Sequence, residues 1–153
     1  MKEQSPYKTT QTRAIDPRWL RIGNLVKYNG ITWYVHGICI PAPMEDKRYS
    51  DKYIVDLFDG AGVISVTIED IEAILIDSDV LTKAGFEFSS HFVWQHTKSG
   101  ILFDQCEPEC EYRYNTGITS AYPYSDIVIR SLYLHDLQNK YFAIRGKELK
   151  IKL

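Results

Sequence analysis

The strongest structural signal in the chain lies in the stretch Leu25-Val26-Lys27-Tyr28-Asn29-Gly30-Ile31-Thr32-Trp33-Tyr34-Val35-His36-Gly37-Ile38. Asn29-Gly30 separates two runs that are rich in apolar, aromatic and β-branched residues. An Asn-Gly pair in this position is typical of a type I′ turn, because both turn residues must adopt positive φ. The stretch therefore predicts a β-hairpin.

Two further hairpins are predicted where glycine-containing turns separate strand-like runs. Their runs are residues 53–58 and 63–68, joined through Asp59-Gly60, and residues 91–97 and 101–105, joined through Lys98-Ser99-Gly100. Alternating patterns predict further strands at 110–115, 126–132 and 149–153, whereas residues 116–125 have the composition of a turn-rich loop.

The helix signals are fewer. Asp16-Pro17 predicts a short helical start. Asp77 or Ser78 is predicted to cap a short helix that ends before Gly85. The best helix candidate lies near residue 140, where apolar side chains recur at helical spacing and Gly146 ends the pattern. Its predicted core face consists of Leu134, Leu137, Tyr141 and Ile144.

These elements predict an α+β fold that is mostly antiparallel β. We expect a small bent sheet or partly open barrel with a short C-terminal helix packed on it. Residues 1–16 are polar and lack an apolar period, so we expect a flexible N-terminal arm. Residues 17–153 are expected to form a single globular domain.

Composition narrows the function classes. The 153 residues carry a net charge of −2, which argues against a dedicated duplex DNA binder. No segment is long and apolar enough for a transmembrane helix, so no membrane association is expected. The N-terminus lacks an apolar signal-peptide core, which favours the cytoplasm or an assembly built there. The three cysteines therefore indicate free thiols.

A zinc site is the first candidate for chemistry. His91, His96, Cys106 and Cys110 could supply four ligands. Their order, with both histidines before a C-x3-C pair, matches no standard zinc finger, and free cysteines with ordinary histidines explain the same residues. We therefore predict no metal and no cofactor.

Catalytic motifs are equally weak. Cys39 and His36 are close in sequence, but a strand would direct them to opposite faces. The sequence lacks a G-x-S-x-G elbow and a phosphate-binding loop. No catalytic residue is assigned, and an enzyme is not favoured.

The first hairpin also suggests nucleic-acid binding. Trp33 and Tyr34 are aromatic, and the nearby cations are Arg18, Arg21 and Lys27. Exposed on one face, these side chains could stack and neutralise a single strand. The alternative is that Trp33 fills the core of the sheet.

Residues 134–149 carry the pattern H-x-L-Q-N-x-Y-F-A-x-x-G-x-E-L. Residues 20–26 and 74–86 extend the likeness, although positions 76–78 read Ile-Asp-Ser where the pattern has an apolar residue, Leu and Thr. These segments resemble small uncharacterised proteins of Bacteroidetes phages and prophage-like elements. The resemblance implies a mobile-element origin and carries no activity with it.

Within this segment, His135, Gln138 and Asn139 fall on one helix face. They are either a recognition surface or polar groups that hydrogen-bond to the edge of the neighbouring sheet. We favour a phage-encoded, non-catalytic protein-binding or assembly module whose partner is a phage or host protein. The alternatives are a single-stranded nucleic-acid-binding protein and a hydrolase acting on nucleic acid or nucleotides.

Overall fold

The first sheet grows from the predicted hairpin. The computed structural model describes residues 14–39, 52–90, 93–105, 118–121 and 126–152. Four antiparallel strands follow chain order, β1-β2-β3-β4. They are β1 (Leu25–Tyr28), β2 (Ile31–Cys39), β3 (Ile54–Phe58) and β4 (Val63–Thr67). Asn29 and Gly30 have φ of 50° and 76°, which confirms the type I′ turn.

The second sheet has five strands in the order β5-β6-β7-β9-β8. They are β5 (Phe86–Ser90), β6 (Val93–His96), β7 (Leu102–Asp104), β8 (Ile118–Ala121) and β9 (Asp126–Ile129). Strands β7 and β9 pair in parallel, while the other pairs are antiparallel. The hairpins around Gly60 and Gly100 are both confirmed.

Two predictions at the level of strands are wrong. Strand β8 lies inside the predicted loop 116–125, because pairing with β9 overrides the turn-rich composition around it. The predicted strand at 149–153 is absent from the described residues 149–152. Leu149 is buried and Lys150 exposed, as the alternation suggested, but this segment pairs with no strand edge in the part of the chain that the structure describes. The strand predicted at 110–115 lies outside the described residues.

Both predicted helices are present as α1 (Ser78–Lys83) and α2 (Leu134–Arg145). The Asp77 carboxylate accepts a hydrogen bond from the Val80 amide at 2.8 Å and caps α1. Helix α2 ends at Gly146, whose φ of 63° is left-handed. Asp16 likewise caps a short 3-10 helix, Pro17–Trp19, through the Arg18 amide.

Two hydrophobic clusters hold these elements together. The first is formed by one face of the first sheet and by segments beside it: Ile15, Leu20, Val26, Val35, Val55, Leu57, Val66 and Ile71. The second joins the second sheet to both helices: Leu25, Ile74, Leu81, Ala84, Phe86, Trp94, Ile101, Phe103, Ile129, Leu134, Leu137, Tyr141 and Leu149. Leu25 of β1 belongs to the second cluster, so the sheets share packing.

The predicted fold class, α+β and mostly antiparallel, is confirmed, with the strands divided between two sheets. The predicted core face of α2 is confirmed as well, since Leu134, Leu137 and Tyr141 are buried and Ile144 packs against them. Of the predicted arm, residues 1–13 lie outside the described residues, and Ile15 is packed in the first cluster. Among the described helices, none has the length and apolar character needed to cross a membrane.

Candidate functional site: two clefts along helix α2

Gln138 joins α2 to the first sheet. Its side chain is 2% exposed. Oε1 accepts a hydrogen bond from the Leu25 amide at 2.9 Å, and Nε2 donates to the Gly23 carbonyl at 3.3 Å. The side chain therefore hydrogen-bonds to backbone groups at the outer edge of β1, which was one of the two interpretations offered by the sequence.

Asn139 makes a similar set of contacts one residue later. Oδ1 accepts hydrogen bonds from Arg21 Nε at 3.2 Å and Asn24 Nδ2 at 2.9 Å. Nδ2 donates to the Trp19 carbonyl at 2.6 Å. Both polar groups of this amide thus have partners within the molecule.

Arg21 is held firmly against α2. Its guanidinium makes two hydrogen bonds to the Glu148 carboxylate, at 2.8 and 2.9 Å. It also lies over the Phe142 ring, 4.0 Å from the centroid. This bidentate and stacked geometry uses the planar shape of arginine.

The structure does not place the predicted nucleic-acid residues on one exposed face. Trp33 packs against the first cluster and its ring meets Tyr28 edge-on. Tyr34, the next residue of the strand, is 37% exposed on the opposite face. Arg18 is ion-paired with Asp16 at 2.6 Å.

The predicted zinc ligands are mostly outside the described residues, where His91, Cys106 and Cys110 lie. His96 is buried, and its Nδ1 lies 2.8 Å from the Ser99 hydroxyl. Among the described residues, no group of three or more metal-binding side chains has the geometry to hold a metal ion.

A large basic cleft lies between α1, the β6–β7 turn and residues 147–152. Its volume is about 1040 Å³. Six cationic side chains line it: Lys83, Lys98, Arg145, Lys147, Lys150 and Lys152. The only acidic residue in its described lining is Glu148, whose carboxylate is paired with the Arg21 guanidinium. We call this surface the basic cleft.

The lining of the basic cleft also includes His96, Ser99 and Tyr141. Burial lowers the pKa of His96, and the nearby Lys98 and Arg145 charges lower it further. The neutral Nδ1 accepts a hydrogen bond from the Ser99 amide at 3.2 Å as well as lying beside its hydroxyl. This pair closes the β6–β7 turn.

A second cleft, of about 500 Å³, lies near the start of α2. Trp19, which is 64% exposed, lines it. Tyr133 and His135 also line it, and their rings stack with centroids 5.9 Å apart and an interplanar angle of 19°. We call this surface the aromatic cleft.

His135 is the unusual group of the aromatic cleft. The residue is 6% exposed, and burial lowers the pKa of its imidazole despite the opposing charge of Asp136. Nδ1 is buried and has no hydrogen-bond partner among the described residues. A buried polar atom without a partner is uncommon in folded proteins.

An ion pair lines the same cleft. The Asp136 carboxylate accepts hydrogen bonds from Lys140 Nζ and the Ser131 hydroxyl, each at 2.7 Å. Lys140 also donates to the Arg130 carbonyl at 2.8 Å. Its third donor goes to the Ser131 hydroxyl at 3.2 Å. The cleft therefore combines aromatic surfaces with a carboxylate and an ammonium that are paired within the molecule.

Sequence reasoning singled out His135 but neither cleft. The lysines at 147, 150 and 152 were visible in the sequence, yet their convergence with Lys83 and Lys98 depends on three separate segments. Comparison with known proteins adds no assignment: no protein family, curated protein or solved structure matches the chain significantly.

Proposed function

We propose that the protein binds single-stranded nucleic acid through the basic cleft. One observation carries the proposal: six cations converge on one concave surface of a chain whose net charge is −2. Lys and Arg clustered on one face are the electrostatic signature of phosphate binding.

Five of the six cations are available to an anion. Lys83 is paired with Asp79 at 2.8 Å on the exposed surface of α1. The other five make no ion pair within the described part of the chain: Lys98, Arg145, Lys147, Lys150 and Lys152. An anion that enters the cleft therefore gains contacts without breaking existing pairs, which favours binding.

The shape of the cleft supports a single strand over a duplex. Its volume of about 1040 Å³ is comparable with sites that enclose small molecules, so it accommodates a few nucleotides. A cleft of this volume is too small to enclose a duplex. The acidic net charge also disfavours duplex binding, which usually requires a general basic excess.

Salt dependence tests this proposal. For a single strand, each phosphate contact contributes about 0.7 to the slope of log K against log salt, so five cations predict a slope of about −3.5. Binding of a fluorescent oligothymidylate, followed by anisotropy, is then expected to weaken about 100-fold between roughly 50 and 200 mM salt.

Charge neutralisation locates the contact. Replacing the four lysines of the basic cleft, Lys98, Lys147, Lys150 and Lys152, by Gln should reduce the slope to about −0.7. Lys27→Gln is the matched control, because Lys27 is exposed on the first sheet. A flat salt response of the unmodified protein, or an equal loss in the Lys27→Gln variant, would contradict the proposal.

A protein-binding or assembly module is the second candidate, supported by exposed large apolar side chains. Trp19, Ile22 and Phe88 are 64%, 59% and 61% exposed. Such side chains are common in protein interfaces. Tagged protein recovered from infected cells with and without nuclease separates the candidates: a stoichiometric protein partner that survives nuclease supports the module, whereas partners lost after nuclease support nucleic-acid binding.

The resemblance to phage-encoded proteins also supports a proposal for where the protein acts. We assign it to the cytoplasm of an infected bacterial cell or to the virion.

A further inference from the structure

The two clefts lie along one helix. His135 and Lys140 line the aromatic cleft, and Arg145 lines the basic cleft. A helix rises about 1.5 Å per residue, so His135 and Arg145 are about 15 Å apart along the axis. The lining residues of the two clefts also lie on different sides of the helix, so a strand that joins them must curve round it. At the roughly 3.4 Å spacing of a stacked strand, the axial distance alone requires at least four or five nucleotides.

The aromatic cleft suits a planar ring. Trp19 presents its indole at 64% exposure, and the side chain of Tyr133 also lines the cleft. Flat aromatic side chains stack with bases of any sequence, because every base has a π-face. The volume of about 500 Å³ lies within the range for small-molecule sites and accommodates one nucleoside.

The polar groups of the cleft suit a heteroaromatic ring better than a hydrocarbon ring. Nδ1 of His135 is buried without a partner among the described residues. Leaving such an atom unpaired is costly, and a ligand that hydrogen-bonds to it after the imidazole rotates toward the cleft removes that cost. A nucleobase edge also carries donors, which can contact the Asp136 carboxylate, whereas the three donors of Lys140 are already engaged within the molecule.

We propose that the aromatic cleft is a base pocket that takes one nucleobase of the strand whose phosphates lie in the basic cleft. This inference rests on the nucleic-acid binding proposed above. Trp19 supplies the stacking surface, His135 the hydrogen bond to the base edge, and Lys140 and Asp136 the polar wall.

Stacking and charge are tested separately with oligonucleotides. Trp19→Ala should weaken binding of an oligothymidylate roughly tenfold or more and leave the salt slope unchanged, because it removes a stacked base and no cation. His135→Phe keeps an aromatic ring and removes the hydrogen bond, and it should weaken binding in the same way. Phe88→Ala is the control, since Phe88 is 61% exposed on the second sheet and outside both clefts.

Two ligands distinguish failure of the pocket from failure of the function. An abasic oligonucleotide has the phosphates without the bases and should bind at least tenfold more weakly than oligothymidylate, while free nucleosides should show saturable binding that Trp19→Ala abolishes. Equal affinity for the abasic strand, or unchanged binding in both variants, would overturn the base pocket and leave the basic-cleft function intact. Saturable nucleoside binding without oligonucleotide binding would refute the nucleic-acid function and would overturn the pocket as part of a strand-binding site, leaving a site for free nucleosides. Preference for a tryptophan-containing peptide over nucleosides would overturn the pocket and assign the cleft to a protein partner.

Discussion

Gln138→Ala tests the connection between α2 and the first sheet. The substitution removes the two hydrogen bonds from Gln138 to the Leu25 amide and the Gly23 carbonyl. Each group left unpaired in a buried setting costs about 1–3 kcal/mol, and part of that cost is recovered where water reaches the Gly23 carbonyl. We expect the free energy of unfolding to fall by about 2–4 kcal/mol, which is a fall in Tm of roughly 6–12 °C for a chain of this length.

Urea denaturation followed by circular dichroism measures this loss directly. Gln95→Ala is the matched control, because Gln95 is exposed on β6 and its truncation should change stability by less than about 0.5 kcal/mol. A loss for Gln138→Ala no larger than that for Gln95→Ala would show that the two hydrogen bonds do not stabilise the fold. The idea that α2 fastens β1 would then fail.

Three further predictions concern stability. Gly30→Ala should lower the free energy of unfolding by about 1 kcal/mol in thermal denaturation. Open space surrounds the site, so only the backbone conformation, with φ of 76°, opposes the new methyl group. An unchanged stability would contradict the type I′ assignment. Arg21→Lys should cost about 1 kcal/mol in the same assay, because lysine cannot reproduce the paired hydrogen bonds to Glu148, and an unchanged Tm would show that this ion pair is dispensable. His96 and His135 have lowered pKa values in the folded state, so below about pH 6.5 the unfolded chain binds protons first. The free energy of unfolding should therefore fall as the pH drops from about 7.5 to about 5. Urea midpoints that rise as the pH drops would refute the lowering of both pKa values by burial.

The features that the sequence predicted well are local ones. The turn at Asn29-Gly30, the cap at Asp77 and the helix end at Gly146 each depend on the conformational preference of one or two residues. The apolar spacing of α2 predicted its buried face for the same reason, since periodicity alone fixes which side chains share a side. Such signals do not require knowledge of distant partners.

The features that escaped prediction depend on pairs that are distant in sequence. The parallel pairing of β7 and β9, and the strand β8 within a turn-rich segment, follow from which edges meet. Gln138 shows the same limit at the level of one side chain. Its amide was compatible with recognising a partner and with binding the sheet edge, which was the favoured interpretation, and only the position of β1 decides between them.

The bond between Gln138 and Leu25 joins positions separated by 113 residues. During translation at roughly 5–20 residues per second, Leu25 is synthesised roughly 6–23 s before Gln138. Until then the outer edge of β1 lacks its helix, and an uncovered strand edge is a template for pairing with another nascent chain. Glu72, which forms an antiparallel bridge with Lys27 on the same edge, is synthesised well before Gln138, so this bridge is able to shield the edge in the interval.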